Sequence, residues 1–104
     1  AKAEALVRDY VRAGYAKIHL DASMKCADDD PALPLARQVS ARRAAAMARA
    51  AEEAAAGRDA SALPVCVIGT EVPVPGGVQE DEVHVSVTNA ADVAETIAIT
   101  RRPF

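Results

Sequence analysis

The chain has 104 residues and 51% of them are apolar, but alanine supplies much of that share and there is one Phe, two Tyr and no Trp. Each buried side chain therefore removes little area from water at roughly 25 cal/mol per Å², so a freestanding domain of this make-up is marginal. The formal charge is −3 with basic residues spread among acidic ones, which leaves no positive field to draw nucleic acid or an anionic membrane.

No apolar run approaches the roughly 20 residues of a spanning helix, and the start, Ala1 to Glu4, does not read as a signal peptide; the expected location is cytoplasmic. Cys26 lies in an acidic loop and Cys66 in a strand run, without a C-x-x-C spacing, so two reduced thiols are expected.

From the amino terminus, Lys2 to Ala13 places Leu6, Val7, Tyr10 and Val11 on one face at helical spacing, with Gly14 where a left-handed stop belongs. Tyr15 to Leu20 (YAKIHL) reads as a strand. Asp21 to Pro34, with three consecutive aspartates and two prolines, reads as a loop. A second helix is expected from Leu35 to Ala56, with Leu35, Val39, Ala46, Met47, Ala50 and Ala54 inward, an Arg49–Glu53 pair on its surface and Gly57 at its end. Its alanines imply close approach to a neighbour.

Leu63 to Ile68 is almost continuously apolar, as in a parallel strand covered on both faces, and Gly69 closes it. A loop from Glu71 to Glu82 leads to Val83–Val87, a short strand or a helix approach. Asn89 then caps a third helix, with Asp92 placed for a capping box, Val93, Ala94 and Ile97 inward, and Pro103 as the stop.

The order helix, strand, helix, strand, helix implies right-handed crossovers and a parallel sheet, hence the α/β class. The connection into the first strand is almost nil and the loops leaving both strands are long, the asymmetry of a (β/α)8 TIM barrel, whose working loops follow the strands. Two strands do not close that sheet. Residues 1–104 are therefore expected to be one segment of an incomplete barrel. Were they a small module instead, the exposed strand edges would drive it into an oligomer.

Two clusters carry chemistry. His19 and Asp21 are two apart at the end of the first strand and share a face; a carboxylate beside an imidazole sets its tautomer, raises its pKa or builds a metal site. The alternative is that Asp21 only hydrogen-bonds backbone at the strand exit while His19 packs. Glu71 follows the second strand, where a strand-end acid faces a barrel mouth; the alternative is an exposed glutamate on a Pro-Gly turn. Ser23, Gly76 and Gly77 are the candidates for holding a phosphate, although no lysine follows Gly77 to make a nucleotide-phosphate loop. The Asp28–Asp30 run lacks the alternating ligands of a calcium loop and reads as solvated, with Asp30 helping to start the next segment. His84 is isolated and reads as structural, and no metal site is assigned.

Three stretches carry a family resemblance: Ala13 to Met24 (AGYAKIHLDASM), Cys26 to Asp29 (CADD) and Val67 to Gly77 (VIGTEVPVPGG). They resemble the non-catalytic Z subunit of class II D-tagatose-1,6-bisphosphate aldolase, the GatZ/KbaZ family. The likeness runs over nearly the whole chain but covers only an internal section of the family's length. It implies a TIM-barrel accessory protein that pairs with a catalytic aldolase subunit, stabilising it and supporting its activity in galactitol or N-acetylgalactosamine breakdown. A sugar phosphate is the implied ligand. No cofactor of its own is implied, since the zinc of such a complex belongs to the catalytic partner.

The Glu71 loop is also similar to that of the catalytic class II aldolases. It departs from them at Pro73, where they keep a glycine, and at Glu80-Asp81, an acidic pair one place late. The competing class is an enzyme in its own right, a metal-assisted sugar-phosphate aldolase or a sugar-phosphate kinase using His19, Asp21 and Glu71. With two histidines in the chain, the three-histidine zinc set of the catalytic members is not present in this section.

Overall fold

A computed structural model describes residues 2–69 and 89–104 of the chain. Among them the order is α1 (Lys2–Arg12), β1 (Lys17–Asp21), α2 (Arg37–Ala54), β2 (Val65–Gly69) and α3 (Ala90–Arg101), as the sequence pattern predicts. The expected Glu71 to Glu82 loop and the Val83–Val87 segment lie outside the described residues. None of the described helices is long and apolar enough to cross a membrane.

Helix α1 buries Val7 and Val11, one turn apart, and leaves Leu6 and Tyr10 largely exposed, so its inward stripe is narrower than expected. Its end is a Schellman motif. Gly14, at φ 93°, lets the Gly14 N–H reach the Val11 carbonyl at 3.0 Å and the Tyr15 N–H reach the Tyr10 carbonyl at 3.1 Å. The rings of Tyr10 and Tyr15, 5.2 Å apart, supply the apolar contact that accompanies such a turn. Arg58 adds a 2.7 Å donation to the Val11 carbonyl. Tyr15 thus serves the helix end, and the strand starts two residues later than expected, at Lys17.

Strand β2 also starts late. Pro64 has no N–H to donate, and pairing opens instead with the Val65 N–H to the Ala16 carbonyl at 2.9 Å. Before it, Ala60–Ala62 form a single 3₁₀ turn, which the composition of that stretch does not announce. The two strands pair in parallel, with Lys17 opposite Val65, His19 opposite Val67 and Asp21 opposite Gly69. Ile18 and Leu20 point into a core shared with Val7, Val11, Ala48, Ala51 and Ala55, while Cys66 and Ile68 pack at its margin. Burial holds the Cys66 thiol above its usual pKa, and the charge of Glu52 adds to that. Both cysteines are free thiols.

Helix α2 begins at Arg37 because Ala36 is extended (φ −66°, ψ 134°), leaving Leu35 outside the helix. Its buried stripe is Ser40, Ala41, Ala44, Ala45, Ala48, Ala50 and Ala51, so of the residues expected inward Ala50 alone is fully covered. Val39, Ala46, Met47 and Ala54 flank the stripe, half-buried. The rotation follows from size: α1 and the sheet close on the helix where side chains are smallest. Glu53, expected to pair with Arg49 on its own helix, instead accepts from Arg8 of α1 at 2.8 Å.

Helix α3 packs along α2 through Thr96 and Ile99, whereas Ala94 and Ile97 face outward and Val93 is half-buried. Asn89 caps it as expected, accepting from the Ala91 N–H at 2.9 Å, but the Asp92 carboxylate makes no return contact among the described residues. Thr96 decides the facing: its hydroxyl donates to the Asp92 carbonyl at 2.8 Å and lies 3.5 Å from Arg37, which also bonds Glu95 at 3.1 Å.

Helices α1 and α2 cover one face of the strand pair, and α3 packs on α2. On the other, Lys17, His19 and Asp21 are exposed, as is Val65 at 64%. The expectation that both faces of β2 are covered is therefore met on one side only.

Two substitutions test this account. Leu20→Ala, removing a side chain 2% exposed, is expected to cost about 2–5 kcal/mol in urea unfolding of the protein. Gly14→Ala, at a positive φ with open space around it, is expected to cost about 1 kcal/mol through backbone strain alone.

Candidate functional site

Because strand side chains alternate, burying Ile18 and Leu20 against the helices forces His19 and Asp21 onto the open face together. The sequence places them there, and the structure agrees, but His19 is exposed rather than packed. The in-register neighbour of Asp21 is Gly69. A Cβ there would stand 3.3 Å from His19 Nε2 and 3.4 Å from Asp21 Cβ, so glycine leaves the space into which both side chains lean over the adjoining strand.

Asp21 ends the strand with an Asx-type turn. Its Oδ1 accepts from the Ser23 hydroxyl at 2.5 Å and from the Ser23 N–H at 2.9 Å. Those two bonds, with a smaller contribution from His19, hold the Asp21 carboxyl below its ordinary pKa. Asp21 therefore does bond local backbone, as one reading of the sequence has it, and in doing so becomes a fixed, ionised acceptor beside an imidazole. Ser23 directs both donors at Asp21, so an anion at Ser23 would compete with a carboxylate.

Beyond Ser23 the loop is tied to α2. Arg43 grips Asp29 with two bonds of 2.7 Å, and Asp29 also accepts from the Cys26 N–H at 2.7 Å. The two side chains are 28% and 16% exposed. Arg43 first, and then the Cys26 N–H, pull the Asp29 carboxyl down to about 2. Asp30 accepts from the Ala32 N–H at 2.8 Å, starting the next turn as expected, and Lys25 donates to the Pro31 carbonyl at 2.9 Å. Between this loop and the helices lies a groove of about 360 Å³ lined by Asp21, Ala22, Met24, Lys25, Arg43 and Met47 among others.

Glu71, Gly76 and Gly77, the other candidate residues, lie outside the described residues, as does His84. Among the described residues, Cys26, Asp28 and Asp29 form a group close enough to share an ion, but both oxygens of Asp29 already receive donors. The Arg43 cation bound to Asp29 opposes a second cation there, and His19 with Asp21 offers two ligands where a catalytic zinc takes three. Arg43 is the residue the sequence did not single out. No local spacing rule links position 29 to 43; the one signal is an aspartate in a loop preceding an arginine-bearing helix.

A family model described as D-tagatose-1,6-bisphosphate aldolase subunit GatZ/KbaZ-like matches residues 1–104. The chain is 48% identical over 103 residues to the D-tagatose-1,6-bisphosphate aldolase subunit GatZ of Escherichia coli O1:K1 / APEC and of Escherichia coli O6:K15:H31 (strain 536 / UPEC). It is 47% identical over the same length to that of Escherichia coli (strain SE11). Each match covers 99% of this chain and 24% of the relative, so the chain spans about a quarter of the length of the curated relatives it matches.

The loop clamp has a pH signature. A carboxyl whose pKa is lowered on folding stabilises the fold fully above its unfolded value, near 4, and that contribution is lost as pH falls through the folded value of about 2. Carbon-detected titration of Asp29 is expected to give a midpoint near 2, and Arg43→Ala to return it toward the ordinary carboxylate range.

Proposed function

We propose that this chain, which belongs to the D-tagatose-1,6-bisphosphate aldolase subunit GatZ/KbaZ-like family, is a section of a non-catalytic accessory subunit. It supports the class II aldolase that cleaves tagatose 1,6-bisphosphate in galactitol and N-acetylgalactosamine breakdown. The family match across all 104 residues carries this reading. The subunit works in the cytoplasm beside a catalytic aldolase subunit, which holds the zinc.

The section belongs to a (β/α)8 TIM barrel. Parallel strands are stable when both faces are covered, and here helices cover one face while Lys17, His19 and Asp21 stand on the other. In a barrel that second face is the interior, closed by strands from the remaining length of the protein. His19 and Asp21 then lie at the carboxyl-end mouth, where barrels hold their ligands. In the sequence, Glu71, Gly76 and Gly77 come after β2, the strand paired with β1. A sugar phosphate is the ligand this reading assigns to the rim, with Asp21 as an acceptor for its hydroxyls. Ser23 serves there by holding Asp21.

Supporting a partner requires a surface and a stable scaffold rather than a metal-bound reaction centre. The whole protein, purified alone, is expected to leave tagatose 1,6-bisphosphate uncleaved and to carry no stoichiometric zinc. Added to the catalytic subunit, it is expected to lengthen that subunit's active half-life severalfold at the growth temperature. One equivalent of zinc together with partner-free cleavage would overturn the accessory reading in favour of a metal-assisted lyase, and partner-free phosphorylation of a sugar phosphate would favour a kinase.

A further inference from the structure

We propose that Arg43, on α2, is a positioning residue for the strand-end cluster: through its two-pronged bond to Asp29 it holds the loop after β1 in the shape that keeps Ser23 bonded to Asp21. The inference rests on the proposed reading only in treating that cluster as a site. The mechanical claim stands on geometry alone.

Two sets of bonds, three residues apart along the backbone, shape this loop. Asp21 Oδ1 receives both donors of Ser23. Three residues past Ser23, the Cys26 N–H donates to Asp29 at 2.7 Å, closing the turn also marked by the Asp29 N–H to Cys26 carbonyl bond at 3.0 Å. Arg43 meets both oxygens of Asp29 at 2.7 Å. Arg43 stands in the second turn of α2, and its neighbours Ala44 and Ala45 are buried, so the guanidinium is carried by the packed part of the molecule. A planar guanidinium fixes direction as well as distance, which a single ammonium contact does not.

Ala22, between Asp21 and Ser23, is buried, but past Ser23 the loop has few other ties. Cys26 and Met24 are exposed, and Lys25 bonds only within the loop, to Pro31. Without the Asp29–Arg43 grip, the Cys26–Asp29 turn has no bonded tie to the helix among the contacts of the described residues. The groove beside it, lined by Asp21 and Arg43 together, would then change shape at the end where Asp21 stands. Free backbone motion next to Ser23 would compete with its two bonds to Asp21.

Electrostatics alone predicts a different result from positioning, which makes the inference testable. In the whole protein, Asp29→Asn removes a negative charge from the loop; by charge alone that lowers the Asp21 pKa or leaves it unchanged, because a like charge has gone. Loss of the clamp raises it, because the Ser23 donors disengage. The experiment is carbon-detected titration of Asp21 in the natural protein, Asp29→Asn, Arg43→Lys and Ser23→Ala, with amide hydrogen exchange at Cys26.

The expected result is a rise of the Asp21 pKa in Asp29→Asn, in the direction that Ser23→Ala sets, with at least tenfold faster exchange at Cys26. Arg43→Lys, which keeps the charge but not the two-pronged geometry, is expected to fall between them and the natural protein. An unchanged or lowered Asp21 pKa in Asp29→Asn overturns the proposal, as does a fully natural titration in Arg43→Lys. Asp21→Asn separates the two readings. If it leaves support of the catalytic subunit intact while Asp29→Asn still raises the Asp21 pKa, the clamp stands and the proposed role of the cluster falls.

Discussion

A parallel pair of strands with one face packed on helices sets the terms for everything else in this molecule. Ile18 and Leu20 anchor that packing beside Val7 and Val11, and Ala48, Ala51 and Ala55 let α2 come close enough to close the core. Once those side chains point inward, strand geometry leaves no choice for their neighbours. Lys17, His19 and Asp21 must share the opposite face. The same alternation that builds the core therefore gathers the polar residues, and the in-register pairing of Asp21 with Gly69 gives them room.

The bonds that shape the strand exit lie outside that core. Asp21 is fixed by Ser23, and the loop beyond it by Asp29 and Arg43, so a region rich in charge is held by directed hydrogen bonds rather than by burial. Such an arrangement suits a rim. Exposed polar loops keep their shape through geometry, and they remain open to a ligand or a neighbouring chain. It also separates the contributions to stability: loss of apolar contacts acts on the whole fold, whereas loss of the clamp acts on one loop.

Membership in the GatZ/KbaZ-like family and the open second face point the same way. A stretch covering about a quarter of its relatives' length presents two parallel strands with one side uncovered and charged, as expected of an α/β section whose remaining partners lie elsewhere in the longer protein.

Element type and order were legible in the residues themselves. The Gly14 stop, the β-branched and apolar strand runs, the alanine-rich helix and the Asn89 cap each rest on short-range sterics or hydrogen bonding, which neighbours in the chain determine. The shared face of His19 and Asp21 was legible for the same reason, since alternation is local. Facing and pairing were not. Which side of α2 and α3 turns inward and whether Glu53 meets Arg49 or Arg8 both depend on what lies across the gap. The Asp29–Arg43 grip belongs with them. Contacts between segments far apart in sequence arise only when packing brings them together, and no spacing along the chain encodes that distance.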